Sequence, residues 1–230
     1  MADAPVFLIT GASSGIGAAT ARSAAEAGYR LVLSARSADR LQDLAAELGG
    51  ADRAVAVTCD VGEWDQQERL VATTMDKFGR IDVVFANAGF GARRGFTEET
   101  PELWRSMVLT NVLGAAYTIR ATINPLRKSK GHLILTSSVA GRRALEGSFY
   151  SATKHAVTAM GESVRQELNE SGVRMTLIEP GMVDTPFFDN RPGDRALQDD
   201  DIAKAVLYAL EQRPGVDVNE ILIRPITQSS

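Results

Sequence analysis

The feature that most constrains the fold is an alternation of short apolar segments with longer segments of helical periodicity. Seven segments rich in Val, Ile or Leu are predicted strands: residues 6–10, 30–34, 54–58, 83–86, 133–136, 174–178 and 220–223. Six helical patterns begin near Gly15, Ala38, Glu63, Pro101, Ser148 and Asp199. Apolar strands that alternate with helices are typical of a parallel sheet covered on both faces. The pattern predicts a Rossmann-like, doubly wound α/β fold of three layers around a seven-stranded parallel sheet.

Length, charge and cysteine content narrow the class of protein further. The 230 residues fit one domain, residues 1–230, and the net charge of −4 gives no global basic field for nucleic acid or an anionic membrane. A single cysteine, Cys59, excludes an intramolecular disulfide, and no Cys/His cluster accompanies it as a metal site. No apolar run approaches the roughly 20 residues of a membrane span. We therefore expect a cytoplasmic protein with no bound metal and no membrane or nucleic-acid partner.

A glycine-rich turn follows the first predicted strand and opens the first helix. Residues 10–17 read T-G-A-S-S-G-I-G, with the spacing G-x-x-x-G-x-G rather than G-x-G-x-x-G. Backbone N–H groups at a helix N-terminus favour a pyrophosphate, and glycines permit its close approach. The alternative is a purely structural turn, but its place after a strand at the start of an α/β chain favours a dinucleotide. The candidate cofactor-binding residues here are Gly11, Ser13, Ser14, Gly15, Ile16 and Gly17.

The end of the second strand indicates which dinucleotide is bound. The chain there reads Ser34-Ala35-Arg36, with no carboxylate to accept hydrogen bonds from a free ribose 2′-hydroxyl. An arginine can instead pair with a 2′-phosphate through two parallel donors. Arg36 therefore favours NADP(H), although it can also be an ordinary solvated residue at the start of the next helix.

A phenol and an ammonium share one predicted helix face in the segment Tyr150-Ser-Ala-Thr-Lys154. Reduction of a ketone by a nicotinamide requires a proton donor to the oxygen, and Tyr150 is a suitable donor. A free phenol has a pKa near 10, so catalysis at about pH 7 to 8 requires that pKa to fall by roughly two to three units. Lys154 can supply much of this stabilisation of the phenolate.

The chain resembles the short-chain dehydrogenase/reductase family, in its compact, NADP-preferring form. The motifs that carry the resemblance are, in chain order, the turn of residues 10–17, Cys59-Asp60-Val61, Asn87-Ala88-Gly89, Asn111, the segment 137–141, Tyr150 with Lys154, and Pro180-Gly181 with Thr185. The resemblance implies an NADP-dependent interconversion of a secondary alcohol and a ketone, with Tyr150 as the general acid/base. The implied catalytic residues are Asn111, Ser138, Tyr150 and Lys154. Besides the glycine turn and Arg36, the implied cofactor-binding residues are Asp60, Val61, Asn87, Ala88, Gly89, Tyr150, Lys154, Pro180, Gly181, Val183 and Thr185.

The resemblance also implies a role for particular residues around the cofactor. Asp60 is expected to bond the adenine amino group, Asn87 to support the sheet beside the cofactor, and Thr185 to bond the nicotinamide carboxamide. Each has a simpler alternative, because Asp60 can cap a turn, Asn87 can be structural, and Pro180-Gly181 can be a turn that ends a strand.

The catalytic residues have implied roles of the same kind. Lys154 is expected to bind the nicotinamide-ribose hydroxyls, Ser138 the substrate oxygen, and Asn111 a water in a proton relay. The family's usual spacing to Tyr150 would select Ser137, one residue earlier. We prefer Ser138, because the Val-Ala-Gly that follows it matches the family motif in phase.

The substrate is less constrained than the reaction. The pairs Arg93-Arg94 and Arg142-Arg143 follow predicted strands on the loop-bearing side of the sheet, where a carboxylate or a phosphopantetheine carrier can use them. Solvated loop charge remains the simpler reading. The segment 216–228 resembles the C-terminus of the branch that oxidises 3-hydroxy acids with NADP, and this favours a 3-hydroxy acid.

Several alternatives remain open at this stage. A 3-oxoacyl-carrier reductase and a broad carbonyl reductase use the same chemistry, and a non-catalytic NADP sensor would need only the cofactor residues. A sugar-nucleotide epimerase would need a longer C-terminal domain. Phe187 and Phe188 can line the cleft or simply pack. The helical segments from Pro101 and Ser148 carry more apolar positions than one buried face uses, and the family pairs these helices, so we expect a homotetramer or homodimer.

Overall fold

The computed structural model describes residues 4–187 and 193–228. Its strands are β1 (Val6–Thr10), β2 (Arg30–Ala35), β3 (Ala54–Thr58), β4 (Val83–Ala86), β5 (His132–Thr136), β6 (Arg174–Pro180) and β7 (Glu220–Ile223). They form one parallel sheet in the order β3-β2-β1-β4-β5-β6-β7. This confirms the predicted doubly wound, seven-stranded α/β fold; three strands are one or two residues longer than the apolar pattern indicated.

Helices cover both faces of the sheet. They are α1 (Gly15–Glu26), α2 (Ala38–Glu47), α3 (Trp64–Phe78), α4 (Pro101–Met107), α5 (Gly114–Ser129), α6 (Phe149–Glu167) and α7 (Asp199–Leu210). Two of them begin at side-chain caps: the hydroxyl of Thr100 accepts from the Leu103 amide, and the hydroxyl of Ser148 accepts from the Ser151 amide. These caps fix where α4 and α6 start, and α6 carries Tyr150 and Lys154.

The sheet is apolar on both faces, which is why its strands appear in the sequence as continuous apolar runs. Along β1, Phe7 and Ile9 contribute to the layer packed by α1, α2 and α7, whereas Val6 and Leu8 contribute to the layer packed by α3, α5 and α6. All four side chains are fully buried. Because successive strand residues point to opposite faces, each strand supplies both cores at once.

The helical segment that starts at Pro101 is not one α-helix, as its pattern suggested. A π-helical turn, Val108–Leu113, separates α4 from α5. The wider turn holds Asn111, whose buried amide bonds both backbone groups of Phe90 and the Thr153 hydroxyl. A π turn inserts one residue into a helix, and such insertions are frequent at functional sites. Periodicity alone misses it because the flanking helices keep their apolar spacing.

The topology reverses between β1 and β4, and side chains tie these two strand ends together. The Thr10 hydroxyl accepts from the Asn87 and Ala88 amides (3.1 and 3.2 Å), while Asn87 Nδ2 donates to the Thr10 carbonyl. Asn87 Oδ1 also accepts from the Thr136 hydroxyl on β5 (3.1 Å). Asn87 thus links three strands at the switch point where open α/β sheets bind their ligands, and its place beside the cofactor stays a prediction.

Two properties bear on the other expectations from the sequence. Within the described residues no helix has the length and apolarity needed to cross a membrane, and the same residues hold no group of three or more His, Cys, Asp and Glu suited to a metal.

Cys59 is a buried free thiol, and burial raises its pKa to about 11. The thiol therefore stays protonated and unreactive at neutral pH.

Candidate active site

The turn after β1 forms a backbone cradle that larger residues would fill. Gly11 and Gly15 have left-handed φ values of +68° and +51°, which side-chain-bearing residues rarely adopt. A Cβ at Gly11 would lie 2.9 Å from the Ala88 Cα, and one at Gly17 would overlap the Gly11 carbonyl oxygen. Ser14 occupies the N-cap of α1, but its side chain makes no cap hydrogen bond. The residues fit a dinucleotide, because the cradle offers an anion the N-terminus of α1 at close approach.

Arg36 lies beside this turn, at the carboxyl end of β2. The Ser34 carbonyl accepts from the Ala12 amide (3.0 Å), so the turn that contains Ser13 packs directly on the end of β2. Arg36 follows two residues later and is exposed. Among the described residues it makes no ion pair, so its guanidinium is available to an anion bound at the turn.

Tyr150 and Lys154 occupy the first two turns of α6 and share one face of it. The Lys154 ammonium lies 5.6 Å from the centroid of the Tyr150 ring and donates to the Thr136 carbonyl at 2.7 Å. Lys154 is only 4% exposed, yet no carboxylate among the described residues pairs with it. A buried, uncompensated ammonium is costly and marks a functional-site candidate.

The protonation equilibria of this pair are shifted by burial. Burial lowers the pKa of Lys154 to about 8. Burial also raises the pKa of Tyr150 well above its ordinary value, and a hydrogen bond with Ser138 opposes that shift only in part. The expected lowering of the Tyr150 pKa is therefore reversed in this state, because desolvation outweighs the other effects and Lys154 directs its ammonium to the Thr136 carbonyl.

The structure distinguishes between the two adjacent serines. Ser138 Oγ bonds Tyr150, accepts from the Ala140 amide (3.1 Å) and donates to the Pro180 carbonyl (3.3 Å). Ser137 Oγ instead donates to the carbonyl of Lys154 and bonds the Thr158 hydroxyl on the far side of the strand end. Ser138 is the serine that lies next to the phenol.

Asn111 is brought next to Lys154 by the π turn. A Cβ at Gly89 would lie 3.1 Å from Asn111 Oδ1 and 3.6 Å from Lys154 Nζ, so the three residues converge. Both polar atoms of the Asn111 side chain are bonded, to the Phe90 backbone and to the Thr153 hydroxyl. The side chain therefore positions its neighbours, and its implied part in a water relay stays a prediction.

Asp60, which follows β3, caps a turn, and this is the simpler alternative to an adenine contact that the sequence analysis left open. Its Oδ1 accepts from the Gly62 amide at 3.0 Å, and its own amide donates to Gln66. Its second carboxylate oxygen makes no hydrogen bond to a described residue, so an adenine contact stays a prediction. Val61 is buried against Gly114, where a Cβ would overlap its methyl group.

The segment 180–185 closes over the glycine turn. Gly181 donates to the Ile223 carbonyl on β7 (2.7 Å), and Val183 pairs with Leu197 in an isolated bridge. Thr185 is buried, and its side chain lies 3.1 Å from the place a Cβ at Gly15 would take. The predicted nicotinamide segment and the predicted pyrophosphate turn are thus in direct contact.

An aromatic side chain stands at the entrance beside Tyr150. The Phe187 ring makes an edge contact with the Tyr150 ring, with centroids 5.5 Å apart, and is 40% exposed. A Cβ at Gly91 would lie 2.6 Å from its ring, so glycine is needed there. Phe187 lines the cleft, whereas Phe188 lies outside the described residues.

A buried ion pair near Ser138 was not found from the sequence. Arg142 donates to both carboxylate oxygens of Glu179 (2.7 and 2.9 Å) and also pairs with Glu220. The Glu179 side chain is 1% exposed. The residues are far apart along the chain, and the only signal was an arginine directly after the candidate serine motif of residues 137–141. The pair fixes the loop after Ser138 to the ends of β6 and β7.

In each of the two arginine doublets, the two side chains have different surroundings. Arg93 is held by Glu99 at 3.0 Å, just as Arg142 is held by its two glutamates. Arg94 and Arg143 are exposed and make no ion pair within the described part of the chain. Only the second member of each doublet is therefore free to meet an anion.

These features, a glycine cradle at a sheet switch point and a Tyr/Lys/Ser cluster beside it, define a nucleotide-dependent oxidoreductase of the short-chain type. The family model described as short chain dehydrogenase matches residues 5–196. The chain belongs to this family.

Particular relatives agree over nearly the whole chain. An uncharacterised oxidoreductase of Staphylococcus saprophyticus is 40% identical, covering 96% of this chain and 97% of its own. The archaeal alcohol dehydrogenase of Thermococcus sibiricus, complexed with 5-hydroxy-NADP, is 34% identical over 99% of both chains, with a TM-score of 0.92. A serine dehydrogenase in its closed form with NADP+ is 29% identical over 98% of this chain and 96% of its own, with a TM-score of 0.92.

Among the similar solved structures, this serine dehydrogenase is complexed with NADP+, and a 3-ketoacyl-(acyl-carrier-protein) reductase of Brucella melitensis is complexed with NADH. The similarity to these proteins therefore supports an oxidoreductase with a nicotinamide cofactor and a small-molecule substrate. It leaves the choice between the two dinucleotides to the residues of this chain.

Proposed function

We propose that this protein is an NADP(H)-dependent oxidoreductase that interconverts a secondary alcohol and a ketone, with Tyr150 as the general acid/base. The observation that carries the proposal is the Lys154 ammonium, which is buried beside the half-buried Tyr150 ring and pairs with no carboxylate among the described residues. Burial of an unpaired ammonium lowers the stability of the fold, and a ligand that supplies the missing hydrogen-bond acceptors would account for it. Ribose hydroxyls of a dinucleotide would do so, while Ser138 and Tyr150 face the substrate.

In ketone reduction, the hydride for the carbonyl carbon would come from a bound nicotinamide. The Tyr150 hydroxyl donates its proton to the carbonyl oxygen, and the Ser138 hydroxyl hydrogen-bonds the same oxygen and holds it near the phenol. The raised pKa of Tyr150 keeps the phenol protonated at neutral pH, which suits an acid. In alcohol oxidation the phenolate must form first, and the Lys154 charge stabilises it. Asn111 holds the Phe90 backbone and the Thr153 hydroxyl beside Lys154, and its part in a proton relay to Lys154 stays a prediction.

The test is an absorbance assay of NADPH oxidation and NADP+ reduction with a panel of ketones, 3-oxoacyl thioesters and 3-hydroxy acids. Tyr150→Phe should lower kcat by about 10²- to 10⁴-fold and leave NADPH binding within about twofold of wild type. Tyr208→Phe is the matched control, because Tyr208 is an exposed tyrosine on α7. A Tyr150→Phe variant that retains wild-type turnover would refute the mechanism. NADPH binding without turnover of any panel member would favour the NADP sensor instead.

The preference for NADP(H) rests on Arg36. A charge-assisted pair with a 2′-phosphate contributes about 1.5 to 3 kcal/mol, so Arg36→Gln should raise KM for NADPH by about 10- to 100-fold and leave KM for NADH unchanged. Arg40→Gln is the control, since Arg40 is an exposed arginine of the adjacent helix α2. A wild-type enzyme with lower KM for NADH than for NADPH would overturn this assignment.

For the substrate we propose a 3-hydroxy acid. Arg94 and Arg143 lie on two loops that are joined by a hydrogen bond from the Gly95 amide to the Gly147 carbonyl (2.9 Å), and the second loop leads directly into α6. Their free guanidinium groups provide a carboxylate partner at this rim, and a serine dehydrogenase is among the similar structures. The acyl-carrier reductase and the broad carbonyl reductase remain the competing substrate classes.

Neutral and acidic substrates distinguish these classes. Arg94→Gln and Arg143→Gln should raise KM for 3-hydroxy acids and leave KM for neutral secondary alcohols unchanged. Arg105→Gln, at an exposed position of α4, is the control. An equal effect on acidic and neutral substrates would remove the carboxylate role, and selective loss of activity on thioesters would favour the carrier reductase.

We further propose that the protein is a cytoplasmic homodimer or homotetramer. A groove of about 820 Å³ runs between α3, α5 and α6 and is lined by apolar residues that include Trp64, Ile119, Ile123, Met160 and Val164. A second copy would cover this face, as the family resemblance implies. Sedimentation equilibrium is the test, and a monomer at micromolar concentration would refute it. The buried free thiol of Cys59 is compatible with a reducing compartment.

A further inference from the structure

The chain's last described residues fold back onto the segment predicted to border the nicotinamide. After β7 a tight turn forms, in which the Gln228 amide donates to the Pro225 carbonyl at 2.9 Å. The turn brings Gln228 Oε1 to the Met182 amide, which donates to it at 2.8 Å. The neighbouring Thr227 hydroxyl donates to the Arg195 carbonyl (3.3 Å). These last described residues are thus bound to the segment through Gln228 and to Arg195 through Thr227.

The fit between this tail and the segment is tight. A Cβ at Gly181 would overlap Gln228 Oε1 and would lie 3.0 Å from Arg224 Cγ. Glycine at this position therefore lets the tail side chains approach the backbone of the segment. Gln228 is half-buried, so its amide oxygen is partly shielded from competing water.

A different part of the chain, around Leu197, bonds the opposite edge of the same segment. The Met182 carbonyl accepts from the Leu197 amide (3.0 Å), and the Asp184 amide donates to the Leu197 carbonyl (2.7 Å). At its start, the Pro180 carbonyl accepts from Ser138. Gln228 is the side chain that bonds the remaining backbone group of Met182, so Met182 is fixed from both sides.

We infer that Gln228 is a positioning residue for the nicotinamide half of the cofactor site. The inference rests on the proposed function. By holding the Met182 amide, Gln228 keeps residues 181–185 in the one conformation that contacts the glycine turn through Thr185. A ligand that requires this conformation binds in proportion to the fraction of molecules that have it. Loss of the hydrogen bond lowers that fraction and so weakens binding of the nicotinamide half alone.

Two ligands and three variants test the inference. NADPH carries the nicotinamide, whereas 2′-phospho-ADP-ribose has the same adenosine, phosphates and ribose without it. Gln228→Met removes the acceptor at nearly constant size, and Gln228→Glu retains an acceptor oxygen. Gln212→Met changes another half-buried glutamine, whose side chain donates to the Tyr208 carbonyl away from this segment. Dissociation constants for both ligands are measured by titration calorimetry on the full chain.

Gln228→Met should weaken NADPH about three- to tenfold, the value of one neutral hydrogen bond, and leave 2′-phospho-ADP-ribose within about twofold. Gln228→Glu and Gln212→Met should bind both ligands like wild type. Unchanged NADPH affinity in Gln228→Met would refute the inference alone, and so would an equal loss for both ligands, because it would indicate a general structural role. A wild-type protein that binds neither ligand would refute the proposed function itself.

Discussion

Replacement of Lys154 by methionine should make the cofactor-free protein more stable at neutral pH while it abolishes activity. The Lys154 ammonium is buried, its partner is the Thr136 carbonyl, and burial lowers its pKa from 10.5 to about 8. A lysine with a depressed pKa binds fewer protons in the folded state than in the unfolded chain. The free energy of unfolding therefore rises with pH between the two pKa values.

The size of the effect follows from the same values. Near pH 7 the depressed pKa costs about 3 kcal/mol of the free energy of unfolding, and near pH 9.5 it costs about half as much. Methionine removes this cost and loses one hydrogen bond, which is worth about 1 kcal/mol at any pH. Lys154→Met should thus be about 2 kcal/mol more stable than wild type near pH 7, with an advantage that almost vanishes near pH 9.5.

Urea unfolding of both proteins without cofactor, at several pH values between about 6.5 and 9.5, measures this difference. Lys204→Met is the matched control, because Lys204 is exposed on α7, and it should show no such pH dependence. A stability difference between wild type and Lys154→Met that stays constant across this range would refute the argument. It would mean that Lys154 is solvated or paired in the free protein.

Three further predictions concern the surroundings of the site. Gly17→Ala should lower the free energy of unfolding by about 2 to 3 kcal/mol and abolish NADPH binding, because its Cβ overlaps the Gly11 carbonyl. In the same urea titration, the control Gly28→Ala should lower the free energy of unfolding by about 1 kcal/mol, because only its φ of +90° is strained. Arg142→Gln should lower the free energy of unfolding by about 2 to 3 kcal/mol, because it leaves Glu179 buried and unpaired. The double variant with Glu179→Gln should recover most of this loss, and a double variant as unstable as the single one would exclude this cause. Phe187→Ala should hydrate Tyr150 and so lower its raised pKa, which would move the acidic, rising limb of the pH profile of alcohol oxidation to lower pH; an unmoved limb would contradict burial as the origin of the shift.

The parts of the site that sequence analysis predicted are those that depend on short spacing along the chain. The glycine turn lies within eight residues, and Tyr150 and Lys154 are one helical turn apart, so local geometry alone places each group. The strands could be predicted because burial on both faces makes each of them a continuous apolar run. The choice of Ser138 over Ser137 agrees with the hydrogen bonds, since only Ser138 lies next to the phenol.

The parts that could not be predicted depend on groups that meet only in the folded chain. The π turn at Asn111 is stabilised by Phe90 and Thr153, which are 21 and 42 residues away along the chain. The Arg142–Glu179 pair and the Gln228–Met182 bond join residues 37 and 46 positions apart. The raised pKa of Tyr150 in the cofactor-free protein was not predicted for a similar reason. It depends on the depth of burial, which residue spacing does not report.

The glycine turn and Gln228 are far apart along the chain but contribute to the same edge of the sheet, where we propose that the cofactor binds, and this has a consequence for protein synthesis. The glycine turn is synthesised well before β7 and Gln228. A nascent chain can form β1 to β3 early, but it cannot complete the edge until β7 has paired with β6. Cofactor bound at this proposed edge therefore cannot assist the early folding of the growing chain and can stabilise it only after β7 has been made.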